Sequence, residues 1–263
     1  MVRRGEGMRF MGGAHVFPGG RVDPDDYAAV DEAWCDGIDV ATSRLRDLEP
    51  QEALAYHLTA ARELFEEAGI LLARDREGGY LSLSSADRRT RFTRYRREVH
   101  SGSERLRTIV TAEGLRLALD ALLVFAHWVT PPVDVRRFDT RFFIIRVPED
   151  QTAAHDDTET TDSTWITAAE AIARCQRNEI ILPPPTWTTL REIEGFRSVA
   201  DLTTWTLRRP IVRREPRLVE HEGRKMLLLA GDPLHPERPL EPPRYETRFV
   251  LADGRWRAAA APT

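Results

Sequence analysis

The hydrophobic pattern that organises this chain predicts a helix that begins near Pro50 and ends at Gly69. With residues about 100° apart around a helix axis, one face is apolar and carries Leu54, Leu58, Ala61, Phe65 and Ala68. The opposite face carries three glutamates, Glu63, Glu66 and Glu67. Pro50 suits the first helical position, and Gly69 suits the left-handed residue that ends a helix. Three carboxylates should therefore share one patch near the end of this helix.

The other hydrophobic patterns predict an α/β (α+β) fold. Helices are predicted for residues 84–99, 103–111, 167–177, 187–194 and 199–207, and strands for residues 122–129 and 140–147. After Pro210 the pattern becomes β-like, with two hairpins over residues 217–230 and 245–256 joined by a proline-rich linker, 233–243.

The three glutamates are unfavourable at the end of a helix, because a helix C-terminus already carries partial negative charge. Arg62 can pair with Glu66 one turn away, but one arginine does not balance three carboxylates. A hard divalent cation bound by oxygen ligands would balance them. The alternative is that the glutamates form the solvated side of an ordinary amphipathic helix.

The segment from Arg62 to Ile70 reads Arg-Glu-aliphatic-x-Glu-Glu-x-Gly-aliphatic, which resembles the second half of the Nudix box at every fixed position. The first half of that box is a glycine, five residues and an acid. Here Gly20 and Asp26 have that spacing, with aspartate where the family has glutamate. The family places seven residues between this acid and the arginine, whereas residues 27–61 lie between them here. Such an insertion resembles the Nudix branch that includes the peroxisomal acyl-coenzyme A diphosphatases.

A second set of residues resembles the signature of coenzyme A-directed Nudix enzymes. Arg4, Arg9, Gly13 and the Phe-Pro-Gly-Gly run that contains Gly19 have the spacing of that signature, although glycine replaces its serine and the preceding leucines are missing. Arginines suit phosphate oxygens and glycines allow close approach to a diphosphate, so the resemblance implies that these residues bind substrate. The alternative for both arginines is ordinary surface exposure. Residues 127–131 and 137–143 also resemble this branch, and Trp128, Phe142 and Phe143 are expected in the core.

The resemblance implies a Nudix fold, in which a mixed β-sheet is sandwiched between helices. The Nudix domain would span residues 1–209, with residues 27–49 as a surface insertion within the box, and residues 210–263 would form a C-terminal β-hairpin extension. A Nudix domain normally begins with one or two complete strands. Either these strands are truncated here, or another segment, such as the C-terminal hairpins, takes their place in the sheet.

The resemblance also implies a metal site and catalytic residues. Mg²⁺ or Mn²⁺ would be held by Glu63, Glu66 and Glu67 with help from the Gly20 carbonyl. Arg62 would orient a carboxylate. The general base could be Glu63, Glu66 or, from an acidic loop before a predicted strand, Glu159.

The function implied is hydrolysis of a diphosphate linkage in coenzyme A or acyl-coenzyme A, giving (acyl-)phosphopantetheine and adenosine 3′,5′-bisphosphate. A nucleoside diphosphate-sugar or dinucleotide substrate is the second enzyme hypothesis. A Nudix-fold binding module without turnover is a third possibility, and the C-terminal hairpins could serve self-association, for example in a homodimer.

Composition and charge narrow the possible classes of function and the expected location of the protein. A net charge of −4, with no clustering of the basic residues into one stripe, gives no nucleic-acid signature. Cys35 and Cys175 lack metal-ligand spacing and are expected as thiols in a reducing compartment. No apolar run approaches the length of a membrane span, about 18 residues. We therefore expect a cytoplasmic protein that acts on a small molecule.

Overall fold

A computed structural model of the chain describes residues 1–5, 7, 12–27, 30–132, 137–152, 160–237, 239, 243 and 245–260. Two compact units divide the chain and alternate along it. The first consists of Met1–Gly5, Phe17–Val124 and Phe143–Thr164, and the second of Glu6–Val16, Phe125–Phe142 and Trp165–Thr263. Among the described residues, no helix has the length and apolar character needed to cross a bilayer.

Helices and short strands alternate along most of the chain. The helices are α1 (Ile38–Arg44), α2 (Pro50–Ala68), α3 (Ala86–His100), α4 (Leu106–Ala112), α5 (Ala168–Gln176), α6 (Pro184–Ile193) and α7 (Val199–Arg208). The strands are β1 (Val2–Arg4), β2 (His15–Val16), β3 (Cys35–Asp36), β4 (Ala73–Arg74), β5 (Arg116–Ala118), β6 (Leu123–Val129), β7 (Asp139–Ile144), β8 (Thr160–Ser163), β9 (Arg213–Arg214), β10 (Arg217–His221), β11 (Arg224–Leu228), β12 (Arg248–Ala252) and β13 (Arg255–Ala259). The predicted mixture of helices and strands is confirmed.

Helix α2 confirms the predicted central helix at both ends. Pro50 occupies its first turn, and Gly69 ends it with a left-handed φ of 70°. The Gly69 N–H donates to the Phe65 carbonyl at 2.9 Å, which closes the last turn. The predicted apolar face is buried at Leu58 and Ala61, and it joins a core cluster that includes residues of α3, α4 and β5.

The interpretation of residues 27–49 as a surface segment is wrong for four of its described residues. Trp34, Cys35, Ala41 and Leu45 are all buried, and β3 pairs in parallel with β5, so that Cys35 lies opposite Leu117. Burying an indole removes a large apolar area from water, and this burial outweighs the acidic composition that suggested a surface segment.

The start of the chain forms a strand of its own. β1 pairs antiparallel with β8, with Val2 opposite Ser163 and an irregularity between Arg3 and Arg4. The C-terminal hairpins form a separate antiparallel sheet in the order β10-β11-β12-β13. The alternative in which these hairpins replace an opening strand is therefore wrong for the described residues.

In the second unit, the described part of the predicted linker is folded rather than extended. Its His235 is buried, and the His235 N–H donates to the Asp232 carbonyl at 2.9 Å. Asp232 in turn forms a two-point ion pair with Arg248 of β12. The prolines therefore shape turns held by a buried charge pair. Trp128 of β6 is buried as predicted, whereas Phe142 and Phe143, which were also expected in the core, are half-buried.

Candidate active site

Arg62 is the centre of a charged network on the last turns of α2. Its Nε and Nη2 donate to the two carboxylate oxygens of Asp26 at 3.1 and 2.8 Å. Its Nη1 donates to Glu63 at 2.8 Å and to Glu66 at 3.1 Å, and Nη2 also donates to the Arg21 carbonyl at 2.9 Å. One guanidinium therefore orients three carboxylates.

Asp26 connects the two halves of the motif across the insertion. It lies in a 3-10 helix, Pro24–Tyr27, and its side chain is buried. Besides Arg62, it accepts hydrogen bonds from the Thr59 hydroxyl at 2.8 Å and from the Asp23 N–H at 2.9 Å. The shorter aspartate thus fills the place that the resemblance gives to glutamate, and its lone pairs are well satisfied.

The Gly-Gly bend lies directly against the glutamates of α2. The Gly19 N–H donates to the Glu67 carboxylate at 3.0 Å, and Glu67 is 8% exposed. A Cβ on Gly20 would overlap the Glu63 carboxylate, lying 2.5 Å from its Cδ. A side chain at residue 20 would therefore displace the Glu63 carboxylate from its present position.

The network carries more negative than positive charge. Burial lowers the pKa of Arg62, but hydrogen bonding and charge attraction from Asp26, Glu63 and Glu66 outweigh burial and raise the pKa above its ordinary value. This arginine is therefore always charged. Arg62 faces the carboxylates of Asp26, Glu63 and Glu66, and a fourth carboxylate, that of Glu67, lies on α2 with Glu63 and Glu66.

Two residues of α3 complete the surroundings of Glu66. The Arg96 Nε donates to the Glu66 carbonyl at 2.8 Å, and the His100 Nδ1 lies 3.6 Å from the second oxygen of the Glu66 carboxylate. Sequence reasoning missed both residues. The available signal was that α2 has no basic residue in its last turn, so a cation from another element was to be expected.

The donor chemistry of this patch fits a hard divalent cation. Its potential ligands are carboxylate and carbonyl oxygens, and its negative charge exceeds that of its arginine. As their side chains are placed, no His, Cys, Asp or Glu residues of the described chain form a group of three or more spaced to hold a metal ion. Glu63 and Glu66 face Arg62, and Glu67 faces the Gly19 N–H.

The other predicted site residues are distributed differently. Arg4 lies at the end of β1 in the same compact unit as α2, and its Nε is buried without a hydrogen-bond partner among the described residues. Gly13 belongs to the second unit and has a left-handed φ of 73°. Arg9 and Glu159 lie outside the described residues.

Comparison with known proteins gives the family. The sequence model of the NUDT19 Nudix domain matches residues 42–193. The chain belongs to the NUDT19 Nudix domain family. Because the match begins at residue 42, it contains the glutamates of α2 but neither Asp26 nor the Gly-Gly bend. In the folded chain, Asp26 is joined to the glutamates of α2 through Arg62, and the Gly-Gly bend contacts Glu67 directly. These contacts bring the first half of the box next to the second half.

Individual relatives agree with this assignment to the NUDT19 Nudix domain family. The chain is 30% identical over 280 residues to an acyl-coenzyme A diphosphatase NUDT19 of Gallus gallus, covering 90% of this chain and 72% of the relative. It is 27% identical to the human protein of the same name, over 90% of this chain and 72% of that one. A crystal structure of a Nudix hydrolase from Alicyclobacillus acidocaldarius is similar with a TM-score of 0.59 and 28% identity, over 77% of this chain and 86% of that structure.

The predicted Nudix fold is thus confirmed, as is the predicted resemblance to the acyl-coenzyme A branch. The chain is a Nudix hydrolase. The family generally uses divalent metal ions, which agrees with the oxygen-rich patch around Glu63, Glu66 and Glu67.

Proposed function

We propose that this Nudix hydrolase cleaves the diphosphate linkage of coenzyme A or acyl-coenzyme A, giving (acyl-)phosphopantetheine and adenosine 3′,5′-bisphosphate. The observation that carries the proposal is the convergence of Glu63 and Glu67 on the Gly19-Gly20 bend. The substrate preference is supported by relatives that are named acyl-coenzyme A diphosphatases.

Glu63, Glu66 and Glu67, together with the Gly20 carbonyl, would hold Mg²⁺ or Mn²⁺. Such an ion neutralises diphosphate oxygens and lowers the pKa of a bound water. The chain itself supplies the orientation of these ligands. Arg62 donates to Oε1 of Glu63 and to Oε1 of Glu66, and these two hydrogen bonds set the direction of both carboxylates.

The general base is one of the carboxylates that Arg62 orients, Glu63 or Glu66, with Glu159 as the third candidate. A base must reach the proton that it removes. Glu63 meets this condition best, because its carboxylate lies against the Gly20 backbone, next to Gly19, which we propose as a substrate-binding residue.

Arg4 is the described arginine that we propose for a substrate phosphate. A guanidinium donates to phosphate oxygens in a planar, two-point manner. The Nε of Arg4 is buried and makes no hydrogen bond among the described residues, so a phosphate would satisfy a donor that is otherwise costly to bury. We propose the same function for Arg9 and, through close backbone approach, for Gly13 and Gly19.

A substrate panel tests the proposal. Coenzyme A, acetyl- and palmitoyl-coenzyme A, ADP-ribose and NADH would be incubated with the protein and Mg²⁺, Mn²⁺ or EDTA, and the products identified by mass spectrometry. We expect metal-dependent release of adenosine 3′,5′-bisphosphate, and its loss in Glu66→Gln. Faster hydrolysis of ADP-ribose or NADH would favour the dinucleotide alternative. No hydrolysis in any reaction would favour a binding module.

The proposed cellular setting is a reducing compartment such as the cytoplasm. Cys35 and Cys175 are both free thiols, and burial raises the pKa of the Cys35 thiol. A buried thiol with a raised pKa is a weak nucleophile. We therefore propose no catalytic function for Cys35.

A further inference from the structure

Helix α3 reaches the end of the helix that carries the glutamates. The last carbonyl groups of any helix lack partners within it. Here the Gly69 and Ile70 N–H groups donate to Phe65 and Leu64. The next carbonyl, that of Glu66, accepts from the Arg96 Nε at 2.8 Å. Arg96 therefore caps α2 at the residue whose carboxylate faces Arg62.

The guanidinium of Arg96 also covers Gly69. A Cβ on Gly69 would lie 3.2 Å from the Arg96 Nη1 and 3.5 Å from its Cζ. The absence of a side chain at residue 69 thus allows an arginine to lie across the helix end. Its positive charge is placed where the helix is partially negative and where α2 has no basic residue of its own.

His100 follows one turn after Arg96 on the same face of α3. Its Nδ1 lies 3.6 Å from Glu66 Oε2, whereas Arg62 contacts the other oxygen, Oε1. Glu66 is therefore held by two hydrogen bonds, from Arg62 to its carboxylate and from Arg96 to its backbone carbonyl, and His100 lies against the remaining carboxylate oxygen.

We propose that Arg96 and His100 are positioning residues of the active site, which act through Glu66 by fixing the last turn of α2 and the direction of its carboxylate. The proposal rests on the function proposed above, in which Glu66 is a metal ligand. Residues that orient metal ligands typically change metal affinity or activity by about 10–100-fold when they are replaced.

The test compares Arg96→Gln with Arg97→Gln. Arg97 is the next residue on α3 and is exposed, so the two variants share the same change of charge and the same helix. Mn²⁺ affinity would be measured by isothermal titration calorimetry, and activity as a function of Mn²⁺ concentration. For Arg96→Gln we expect affinity about 10–100-fold weaker and a matching rise in the Mn²⁺ needed for half-maximal activity. Arg97→Gln should remain within about twofold of the wild type.

A second pair of variants tests His100 independently. If circular dichroism shows that Arg96→Gln is unfolded, this pair alone tests whether α3 positions Glu66. His100→Ala should weaken Mn²⁺ binding by about tenfold. His100→Asn should recover most of it, because the asparagine amide nitrogen occupies nearly the position of Nδ1.

Two outcomes overturn the inference in distinguishable ways. In the first, the wild type is active and binds Mn²⁺, but Arg96→Gln behaves like Arg97→Gln and His100→Asn gives no recovery. The assignment of Arg96 and His100 as positioning residues is then wrong, and the proposed function stands. If the wild type neither binds Mn²⁺ nor hydrolyses any substrate, the proposed function fails, and the inference fails with it.

Discussion

Arg62 on α2 is half-buried and Arg248 on β12 is buried, and the partners of the two arginines also differ. Arg248 donates through Nε and Nη2 to the two oxygens of Asp232 at 2.9 and 2.8 Å, a one-to-one pair in which Asp232 has no exposure. Arg62 donates to Asp26, Glu63 and Glu66. The first group is electrically balanced and the second is not.

The difference in charge balance distinguishes the Asp232–Arg248 pair, which we expect to stabilise the fold, from the Arg62 network, which we propose to take part in function. The Asp232–Arg248 pair joins a turn to a strand, and its two charges neutralise each other without an added ion. The carboxylates around Arg62 repel one another, and folding alone would not favour collecting them on one helix end. Their excess charge is explained if the patch binds a cation. Replacing one charged partner in each network should therefore affect different properties.

The largest expected effect is on activity, from Glu63→Gln. Glutamine keeps the size of the side chain but removes one negative charge, and the loss of one such electrostatic contact typically lowers kcat by about 10²–10³-fold. Because the variant relieves repulsion, the free energy of unfolding should be unchanged or slightly higher. Steady-state kinetics and urea unfolding measure the two properties. Glu52→Gln, three turns earlier on α2, is the control and should retain activity.

The converse is expected for Asp232→Asn. Removing one partner of a buried ion pair leaves an uncompensated charge, which typically costs about 3–5 kcal/mol. Urea unfolding should show this loss, while kcat/KM of the folded fraction stays near the wild-type value. Asp253→Asn in the exposed turn between β12 and β13 is the control. If Asp232→Asn reduced kcat/KM as strongly as Glu63→Gln, the separation into structural and functional networks would be wrong.

Another buried group, His57 of α2, makes stability depend on pH. Its Nδ1 donates to the Ala53 carbonyl, at 2.8 Å, and burial lowers its pKa from 6.5 to about 4. Since the unfolded state binds the proton more readily, the free energy of unfolding should fall as pH drops from about 6.5 towards about 4. The expected contribution at pH 5 is about 2 kcal/mol.

The measurement is urea unfolding at pH 7.5 and pH 5.0 for the wild type and His57→Gln. The variant should lose about 2 kcal/mol less than the wild type between the two pH values. His221→Gln, at an exposed position on β10, should follow the wild type. An equal pH dependence in all three proteins would show that His57 is not buried in its neutral form.

The sequence predicted the parts of the site that depend on local chemistry. Pro50, Gly69 and the spacing of the glutamates define α2 because capping and helical periodicity are local properties. The contact between Gly20 and Glu63 was expected only through the family resemblance, and the structure shows it.

Contacts between different helices and strands could not be predicted from local sequence signals. The arginine-rich pattern of α3 indicated a helix but not that Arg96 would cap α2. The acidic composition of residues 27–49 suggested exposure, whereas Trp34 and Cys35 are buried because β3 pairs with β5. These features depend on which elements pack together, and a single sequence carries little information about that.

The smallest expected effect concerns Arg4, whose Nε is buried without a hydrogen-bond partner among the described residues, in contrast to the fully engaged Arg62. If Arg4 contacts a substrate phosphate, Arg4→Gln should raise KM about tenfold, equivalent to about 1.4 kcal/mol, with kcat within about twofold. Arg3→Gln is the matched control, because it makes the same change of charge at the neighbouring residue of β1. Steady-state kinetics with coenzyme A would measure both. A fall in kcat without a change in KM would contradict substrate binding, because an interaction lost equally from ground and transition states changes KM alone.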